Sequence, residues 1–353
     1  MRPYTIPFRI PVFHIRISLF LFVFIHQGKF VLKAQQHAIL DKVLDITQQY
    51  SMYRKDVHWD SLRREVYSIA QQEQDTLKSL KQSVGYLLAV LHDNHSFILY
   101  KKNYIGNINR PNVSDNLNEN TKVALKNGGG SIIRTVRLAA NVAYISVPQM
   151  SSAPDNRLDE TNHVGQRLRD SLCSLDLMHL AGIIVDMRLN TGGDMYPMIG
   201  GLAPLLGDGR AGSFLKDGKV AHNWRVKHGD VYLGKTKFTH LNGCYKAKQK
   251  IKIALLTGPL TSSAGEATVI SFKGKENVRV FGEPTAGLVT GNEKFTIAPD
   301  VFYFISMVTA ADRTGKVYKS AILPDDQIIG GDNFDDLQKD QKVLAALQWL
   351  TGK

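Results

Sequence analysis

A strand-to-helix junction at Leu255–Ala267, which reads L-L-T-G-P-L-T-S-S-A-G-E-A, is the feature of this sequence that most constrains its fold. An apolar run at 251–256 is typical of a buried strand, the Gly-Pro pair favours a turn, and helix-compatible sequence begins at Ala264. Because the first N–H groups of a helix have no partner within it, an oxyanion formed beside them is stabilised. Ser262 and Ser263 therefore stand either at the position of a nucleophile or at a plain helix N-cap.

The N-terminus has a different character from the rest of the chain. Met1–Gln36 contains five basic residues and no acidic residue, around an unbroken apolar run at Leu19–Ile25. This is the pattern of a secretory signal peptide, and the apolar run is too short to span a bilayer comfortably. We interpret residues 1–34 as a signal peptide, with a retained N-terminal anchor as the alternative. The sequence thus predicts an exported protein, periplasmic or secreted, with no integral membrane span in the mature chain.

Composition and charge indicate a folded globular protein and give no sign of nucleic-acid binding. The 353 residues are 43% hydrophobic and 22% charged, as in a folded globular protein. Five of the charges behind the net value of +12 lie in the predicted signal peptide, and no cluster of Lys and Arg is interleaved with aromatic residues. Nucleic acid is therefore not predicted as a partner. Cys173 and Cys244 lack metal-ligand spacing, and they either pair in an oxidising compartment or remain separate thiols.

Hydrophobic periodicity divides the chain into three parts after the signal peptide. Residues 37–100 predict a small helical subdomain, in which Asp60 and Asp75 begin the second and third helices. Residues 101–130 are a polar connection, and 131–353 predict an α/β core with a mixed sheet covered on both faces. The predicted core elements are strands at Ile133–Leu138, Val142–Val147, Ala181–Met187, Ile251–Leu256, Val278–Phe281 and Val301–Thr309, a hairpin at Lys216–Leu233, and helices at His163–Leu177 and Gln341–Leu350, with a further helix ending near Leu206.

A second glycine-containing segment follows another buried strand, at Asp186–Asp194. Gly192 and Gly193 stand where the backbone has to approach something closely, at the usual edge for a site in an open sheet. An N–H from Gly192 or Gly193, together with that of Ala264, would make a two-donor oxyanion hole opposite Ser263. The alternative is a plain turn.

Five segments along the chain carry recognisable motifs: D-N-H-S at Asp93–Ser96, I-I-V-D-M-R-L-N-T-G-G at Ile183–Gly193, T-S-S-A-G-E at Thr261–Glu266, G-E-P-T-A-G at Gly282–Gly287 and I-L-P-D at Ile322–Asp325. In this order they resemble the serine peptidase family that includes the tail-specific (C-terminal processing) proteases, the tricorn core protease and the modules of the interphotoreceptor retinoid-binding protein. The resemblance implies a crotonase-like (ClpP/crotonase) αβ core, Ser263 as nucleophile, and Gly192, Gly193 and Ala264 as the oxyanion hole.

The general base distinguishes the branches of this family. The tail-specific branch uses a lysine just after the last glycine of the G-E-P-T-A-G segment, but Leu288 occupies that place. The tricorn-like branch uses a histidine, and the D-N-H-S motif assigns that role to His95, with His92 as the competing histidine. A histidine with an unperturbed pKa of about 6.5 accepts a serine proton near neutrality.

The acid that would orient the imidazole is open among three residues. Glu283, Glu266 and Asp93 are the candidates, because no acid precedes the P-D motif where the tricorn-like branch has one. Glu266 is also explained as a first-turn residue of a helix, and Glu283 as a loop residue that binds backbone N–H groups. About 30 residues separate the helical region from the core, which are too few for the peptide-binding PDZ domain of many tail-specific proteases.

The sequence therefore predicts an exported serine endopeptidase that acts on peptides or unfolded proteins without a metal or organic cofactor. A non-catalytic protein that binds an apolar ligand or a peptide on the same fold is the alternative. A crotonase-type acyl-CoA enzyme would share the oxyanion architecture, but export would separate it from cytosolic thioesters.

Overall fold

The computed structural model describes residues 35–151, 157–244 and 251–352, so the predicted signal peptide lies outside the described residues. Within these ranges, no helix is both long and apolar enough to cross a membrane. The chain forms two compact units. The first runs to Asn109 and includes Lys294–Ile305, and the second comprises Arg110–Glu293 and the residues from Ser306 onward.

Most helices begin and end near the positions that the sequence predicts, but the helix predicted at His163–Leu177 spans Arg157–Cys173 instead. Asp75 caps its helix by accepting a hydrogen bond from the Lys78 N–H at 2.8 Å. Asp60 is not a cap, because its helix begins one residue earlier, and its charge lies in the first turn. The helices are α1 (35–50), α2 (Trp59–Gln71), α3 (Thr76–Val90), α4 (Glu119–Lys126), α5 (Arg157–Cys173), α6 (Met195–Gly201), α7 (Ala203–Leu206), α8 (Ala264–Phe272) and α9 (Gln341–Thr351).

The strands include all those predicted for the core. They are β1 (Phe97–Tyr100), β2 (Asn103–Ile105), β3 (Thr135–Ala139), β4 (Val142–Ser146), β5 (Gly182–Asp186), β6 (Gly209–Lys216), β7 (Lys219–Lys227), β8 (Asp230–Leu233), β9 (Thr236–Lys237), β10 (Lys252–Thr257), β11 (Val278–Gly282), β12 (Thr290–Ala298), β13 (Val301–Asp312), β14 (Val317–Tyr318) and β15 (Asp326–Gln327).

In the first unit, a small antiparallel sheet carries the segment that follows His95. Strand β1 pairs with β2 and with the first residues of β13, where Phe97 lies opposite Phe304. The hydroxyl groups of Thr47 in α1 and Tyr303 in β13 are 2.9 Å apart, which attaches this helix to the sheet. The helical N-terminal region is thus confirmed, with a sheet added to it.

In the second unit, a six-stranded sheet runs in the order β15-β11-β10-β5-β4-β3, and all its neighbours are parallel except β3 and β4. Side chains alternate between its faces. Ile183 and Val185 pack with the helices α5, α6 and α8, whereas Ile184 packs on the opposite face with α9. The α/β class and the mixed, doubly covered sheet are therefore confirmed.

Three loops leave the same edge of this sheet, because β5, β10 and β11 are parallel neighbours. Asp186 at the end of β5 lies opposite Leu256, and Thr257 at the end of β10 lies opposite Gly282. The loops that follow carry the two glycines, the two serines and the G-E-P-T-A-G segment. Parallel pairing therefore assembles three of the five motifs at the carboxyl edge of the sheet.

Residues 101–130, which we predict as a polar connection, contain β2 and α4. Helix α4 was not predicted, because its residues are mostly polar. It begins at an N-cap, where the Asn118 side chain accepts from the Thr121 N–H at 2.9 Å. A disulfide joins Cys173 at the end of α5 to Cys244, so the two cysteines are paired rather than separate thiols.

Candidate active site

The turn between β10 and α8, here called the serine turn (Thr261–Ala264), places Ser263 in an unusual backbone conformation. Ser263 has φ +53° and ψ −116°, a region that is costly for any residue except glycine. The adjacent Ser262 is anchored, because its N–H donates to the Asn190 carbonyl at 3.1 Å and its hydroxyl donates to the Thr191 carbonyl at 2.8 Å. Of the two serines, Ser262 attaches the turn to the loop after β5, here called the glycine loop (187–194), and Ser263 is held in the strained conformation.

Asn190 supports this arrangement, and the sequence analysis did not identify it. Its fully buried side-chain amide donates to the carbonyls of Val147 and Pro148, and its side-chain oxygen accepts from the Gly192 N–H at 3.0 Å. Helix α8 approaches so closely that a Cβ on Gly265 would lie 2.6 Å from that oxygen. The sequence feature that could have identified Asn190 is its position between a buried strand and a Gly-Gly pair.

The glycine loop contacts the serine turn directly. Gly192 has φ +103°, and a Cβ added to it would lie 3.0 Å from the Ser263 Cβ and 3.4 Å from the Ala264 nitrogen. Gly193 has φ +108°, and its Cβ would lie 2.0 Å from the Met150 carbonyl oxygen. Both positions therefore require glycine, through backbone conformation and through space.

Two backbone donors beside Ser263 are unused. In residues 35–151, 157–244 and 251–352, no acceptor takes a hydrogen bond from the N–H of Gly193 or from that of Ala264. The N–H of Gly192, in contrast, is bound to Asn190. An oxyanion beside Ser263 would find its donors on Gly193 and Ala264.

Glu266 lies in the first turn of α8 and is fully buried. One carboxylate oxygen accepts from the Ser263 N–H at 2.9 Å and the Leu288 N–H at 2.7 Å. The other accepts from the Gly287 N–H at 2.9 Å and from the Thr285 hydroxyl. Glu266 thus joins the serine turn to the loop after β11 through both of its oxygens.

The charge state of Glu266 is sensitive to pH. Burial raises the pKa of its carboxyl group to about 7, although the four hydrogen bonds act in the opposite direction. All four donors fit the ionised form, which only accepts hydrogen bonds. Protonation therefore removes one of the acceptor positions that hold the serine turn.

The Glu283 carboxylate has different partners from those of Glu266. Its carboxylate accepts from the Lys342 ammonium at 2.7 Å and from the Gly330 N–H at 3.1 Å. Lys342 is itself buried and also binds Asp332 at 2.7 Å. Glu283 thus belongs to a buried ion network that connects the loop after β11 to the start of α9.

Arg188 is the centre of that network, immediately after β5. Its guanidinium binds the carboxylates of Asp186 and Asp332 at 2.6 Å and that of Asp340 at 2.7 Å. Burial alone would raise the pKa of Asp332, but the charges of Arg188 and Lys342 outweigh burial and lower it. The network fixes the exit of β5, which leads to the glycine loop.

In the first unit, His95 lies on a rigid turn between α3 and β1. Its side chain is buried, at 7% exposure. Asp93, also buried, accepts from the N–H groups of His95 and Ser96, each at 2.9 Å, and from the Ser96 hydroxyl. Burial of the Tyr53 hydroxyl, and to a lesser extent the nearby charge of Asp93, raises the pKa of Tyr53 to about 12. His92 is exposed, at φ +53°.

Comparison with known proteins agrees with these motifs. The model of peptidase family S41 matches residues 141–328, which is more than half of the chain. The nisin-resistance protein of Lactococcus lactis subsp. lactis is 29% identical over 214 residues, or 60% of this chain and 61% of that protein. The match therefore spans less than two thirds of the relative's length.

Solved structures share the fold at low identity. A lipoprotein from Streptococcus agalactiae has a TM-score of 0.65 and 23% identity, over 90% of this chain and 96% of that one. The photosystem II D1 C-terminal processing protease has a TM-score of 0.54 and 14% identity, over 86% of this chain and 96% of that one. The fold that the motif resemblance implies is thereby confirmed.

Proposed function

Because the chain belongs to peptidase family S41, we propose that it is a serine endopeptidase with Ser263 as its nucleophile. The observation that carries this proposal is the serine turn, where strained Ser263 lies beside the unused N–H groups of Gly193 and Ala264. A nucleophile on a strained strand-to-helix turn, with adjacent backbone donors, is the arrangement that acyl transfer requires.

In the proposed mechanism, the Ser263 hydroxyl oxygen attacks the peptide carbonyl carbon while His95 takes its proton. The carbonyl oxygen becomes an oxyanion and accepts from Gly193 and Ala264. When the intermediate collapses, the C–N bond breaks and the leaving amine takes the proton from His95. A water molecule, deprotonated by His95, then attacks the acyl carbon. When the ester C–O bond breaks, the Ser263 oxygen takes the proton back from His95 and the peptide acid is released.

For the three acids we propose positioning roles. One oxygen of Glu266 binds the Ser263 N–H and the other binds the loop after β11, so Glu266 holds Ser263 in its conformation. Glu283 is engaged by Lys342, which favours a role in holding its loop. Asp93 accepts from the His95 backbone and fixes the turn that carries the imidazole.

We also propose that the mature protein is exported and acts on peptides. The Cys173–Cys244 disulfide is the observation that favours an oxidising compartment. One relative is called a nisin-resistance protein, and one structural neighbour a lipoprotein. Export or membrane anchoring is consistent with both names, and nisin is the first peptide to test as a substrate.

The experiment compares hydrolysis of nisin and of unfolded protein by the parent, Ser263→Ala and Ser262→Ala. We expect Ser263→Ala to lose activity by at least about a thousandfold. Ser262→Ala removes an anchoring hydroxyl and should retain much more, which controls for disturbance of the turn. If Ser263→Ala cleaves as fast as the parent, Ser263 is not the nucleophile. A folded parent that cleaves neither substrate would favour the alternative of a binding protein.

A further inference from the structure

The antiparallel sheet of the second unit carries a row of basic residues. On β6 and β7, Arg210 lies directly opposite Arg225. On the next strands, Arg225 lies opposite Tyr232, and Tyr232 lies opposite Lys237. Directly opposed residues share one face of a sheet, so these four side chains form a continuous row across four strands.

Alternation along β7 shows which way this face points. Trp224 and Val226 are buried in the core, whereas Arg225 and Lys227 are exposed. Residues two apart project from the same face, so Lys227 extends the row along the strand. We call the five residues Arg210, Arg225, Tyr232, Lys237 and Lys227 the basic face.

The positive charge of the basic face is only partly compensated. Asp230 binds Lys237 at 2.8 Å. Among the described residues, no carboxylate lies within 4.0 Å of Arg225 or Lys227. Arg210 and Arg225 are directly opposed residues of like charge, a pairing that destabilises a sheet, and the Arg210 guanidinium donates to the Arg313 carbonyl. A face that keeps such a pair exposed is suited to an anionic partner.

The aromatic residue helps to identify the class of partner. The Arg225 guanidinium lies 5.7 Å and the Lys237 ammonium 5.6 Å from the centre of the Tyr232 ring. The ring is thus engaged by cations of its own chain, which disfavours the base stacking that single-stranded nucleic acid requires. A tyrosine among cations on a flat surface is the composition that suits the headgroup region of a bilayer.

We propose that the basic face docks the protein on the surface of an anionic lipid bilayer. The cations are spread over three strands, about 4.8 Å from one strand to the next, so they present charge in two dimensions. Such an array matches many headgroups at once, whereas an acidic peptide chain offers charge in a single line. The basic, apolar sequence at Met1–Gln36 would bring the chain to the same surface if it is retained as an anchor.

The test measures co-sedimentation of the protein, as recovered after export, with vesicles of phosphatidylcholine alone or with about 30% phosphatidylglycerol. A Lys or Arg near an anionic bilayer contributes roughly a fivefold gain in affinity. The double variant Arg225→Gln/Lys227→Gln should therefore bind the anionic vesicles about 25-fold more weakly. High salt should abolish the preference of the parent for anionic vesicles.

The control is Lys78→Gln/Lys126→Gln, which removes the same charge at two other exposed positions and should change binding by less than about threefold. All variants keep the same N-terminus, so its own membrane affinity cancels. Equal weakening in both double variants, or no preference for anionic vesicles in the parent, would overturn the proposal. So would a variant that binds vesicles normally but loses binding to polyglutamate, since that result assigns the face to acidic polypeptides.

Discussion

At the scale of single residues, the conformation of Ser263 depends on neighbours that take no part in the chemistry. Gly192 leaves the space that the Ser263 side chain occupies, and Glu266 binds the Ser263 N–H. The strain at φ +53° persists only because these contacts oppose it. Substitutions at either neighbour therefore report on the geometry of the nucleophile.

Gly192→Ala should reduce kcat/KM by about a hundredfold or more, which is comparable to the loss of an oxyanion donor. The new Cβ would lie 3.0 Å from the Ser263 Cβ and 2.9 Å from the Ser262 carbonyl oxygen, so the serine turn has to move. Steady-state kinetics on a peptide substrate measure the effect.

The matched control is Gly218→Ala. Gly218 also has positive φ, at +76°, but beyond its chain neighbours no atom lies within 4 Å of the position that the new methyl group would take. This variant should lose about 1 kcal/mol of stability and keep its activity. Comparable loss of kcat/KM in both variants would mean that backbone strain, rather than contact with the serine turn, determines the result.

Glu266→Gln should change how stability depends on pH. The folded carboxyl has a pKa of about 7, above that of an unfolded glutamate, so the folded state holds a proton that the unfolded state has released. Its contribution is fully present below about pH 4 and is lost as pH rises through about 7, a change of roughly 3 kcal/mol.

Denaturant unfolding between about pH 4 and pH 8 gives the slope of the free energy of unfolding against pH. This slope does not depend on any loss of stability that the substitution causes equally at every pH. The parent should lose stability across this range by about 3 kcal/mol more than Glu266→Gln. Identical slopes would show that the pKa of Glu266 is the same in the folded and unfolded states, so that its hydrogen bonds balance its burial.

At the scale of elements, the buried ion network joins the exit of β5, the loop after β11 and the start of α9. Lys342→Met should lower the free energy of unfolding by about 3–5 kcal/mol, because it leaves Glu283 without its cation and Asp332 with Arg188 alone. Urea denaturation measures the loss.

Adding Glu283→Gln to Lys342→Met should restore part of that stability, since one uncompensated charge is then removed. Glu283→Gln alone should be destabilised yet react with an active-site probe at close to the parent rate. A catalytic role for Glu283 would instead appear as a loss of reactivity without a loss of stability.

The elements that the sequence predicts well are those with strong local patterns. Continuous apolar runs identified β5 and β10, and the parallel pairing implied by the strand–helix alternation brought their loops to one edge. Helix α4 and strand β12 were not predicted, because their residues are polar or half-exposed and their stability depends on partners distant in sequence.

The residues of the candidate site divide in the same way, into those with a local sequence signal and those without one. Ser263 and the two glycines carry local signals, namely a strand-to-helix junction and positions that require positive φ. The supporting contacts do not, because Asn190 binds residues more than 40 positions away and Lys342 binds Glu283 across 59 positions. Nothing local in the sequence identifies such pairs.

At the scale of the whole molecule, the Cys173–Cys244 disulfide closes a loop with a sequence separation of 71 residues. Cys173→Ser/Cys244→Ser should lower the stability by about 4 kcal/mol, from the greater entropy of the unfolded chain. Thermal unfolding of the purified protein, with and without reductant, measures this loss. A parent whose unfolding is unaffected by reductant, with two free thiols by mass spectrometry, would contradict the disulfide and the proposed oxidising compartment.

The proposed pairing of Ser263 with His95 is a hypothesis at the scale of the whole molecule, because the two residues belong to different compact units. Labelling with a fluorophosphonate, followed by mass spectrometry of the modified peptide, tests it most directly. The labelling rate should fall by about 100-fold or more in His95→Ala and remain near that of the parent in His92→Ala, whose histidine is exposed. We predict modification at Ser263 that requires His95. A folded parent that stays unlabelled, or a His95→Ala variant that labels as fast as His92→Ala, would contradict the proposed serine–histidine pair.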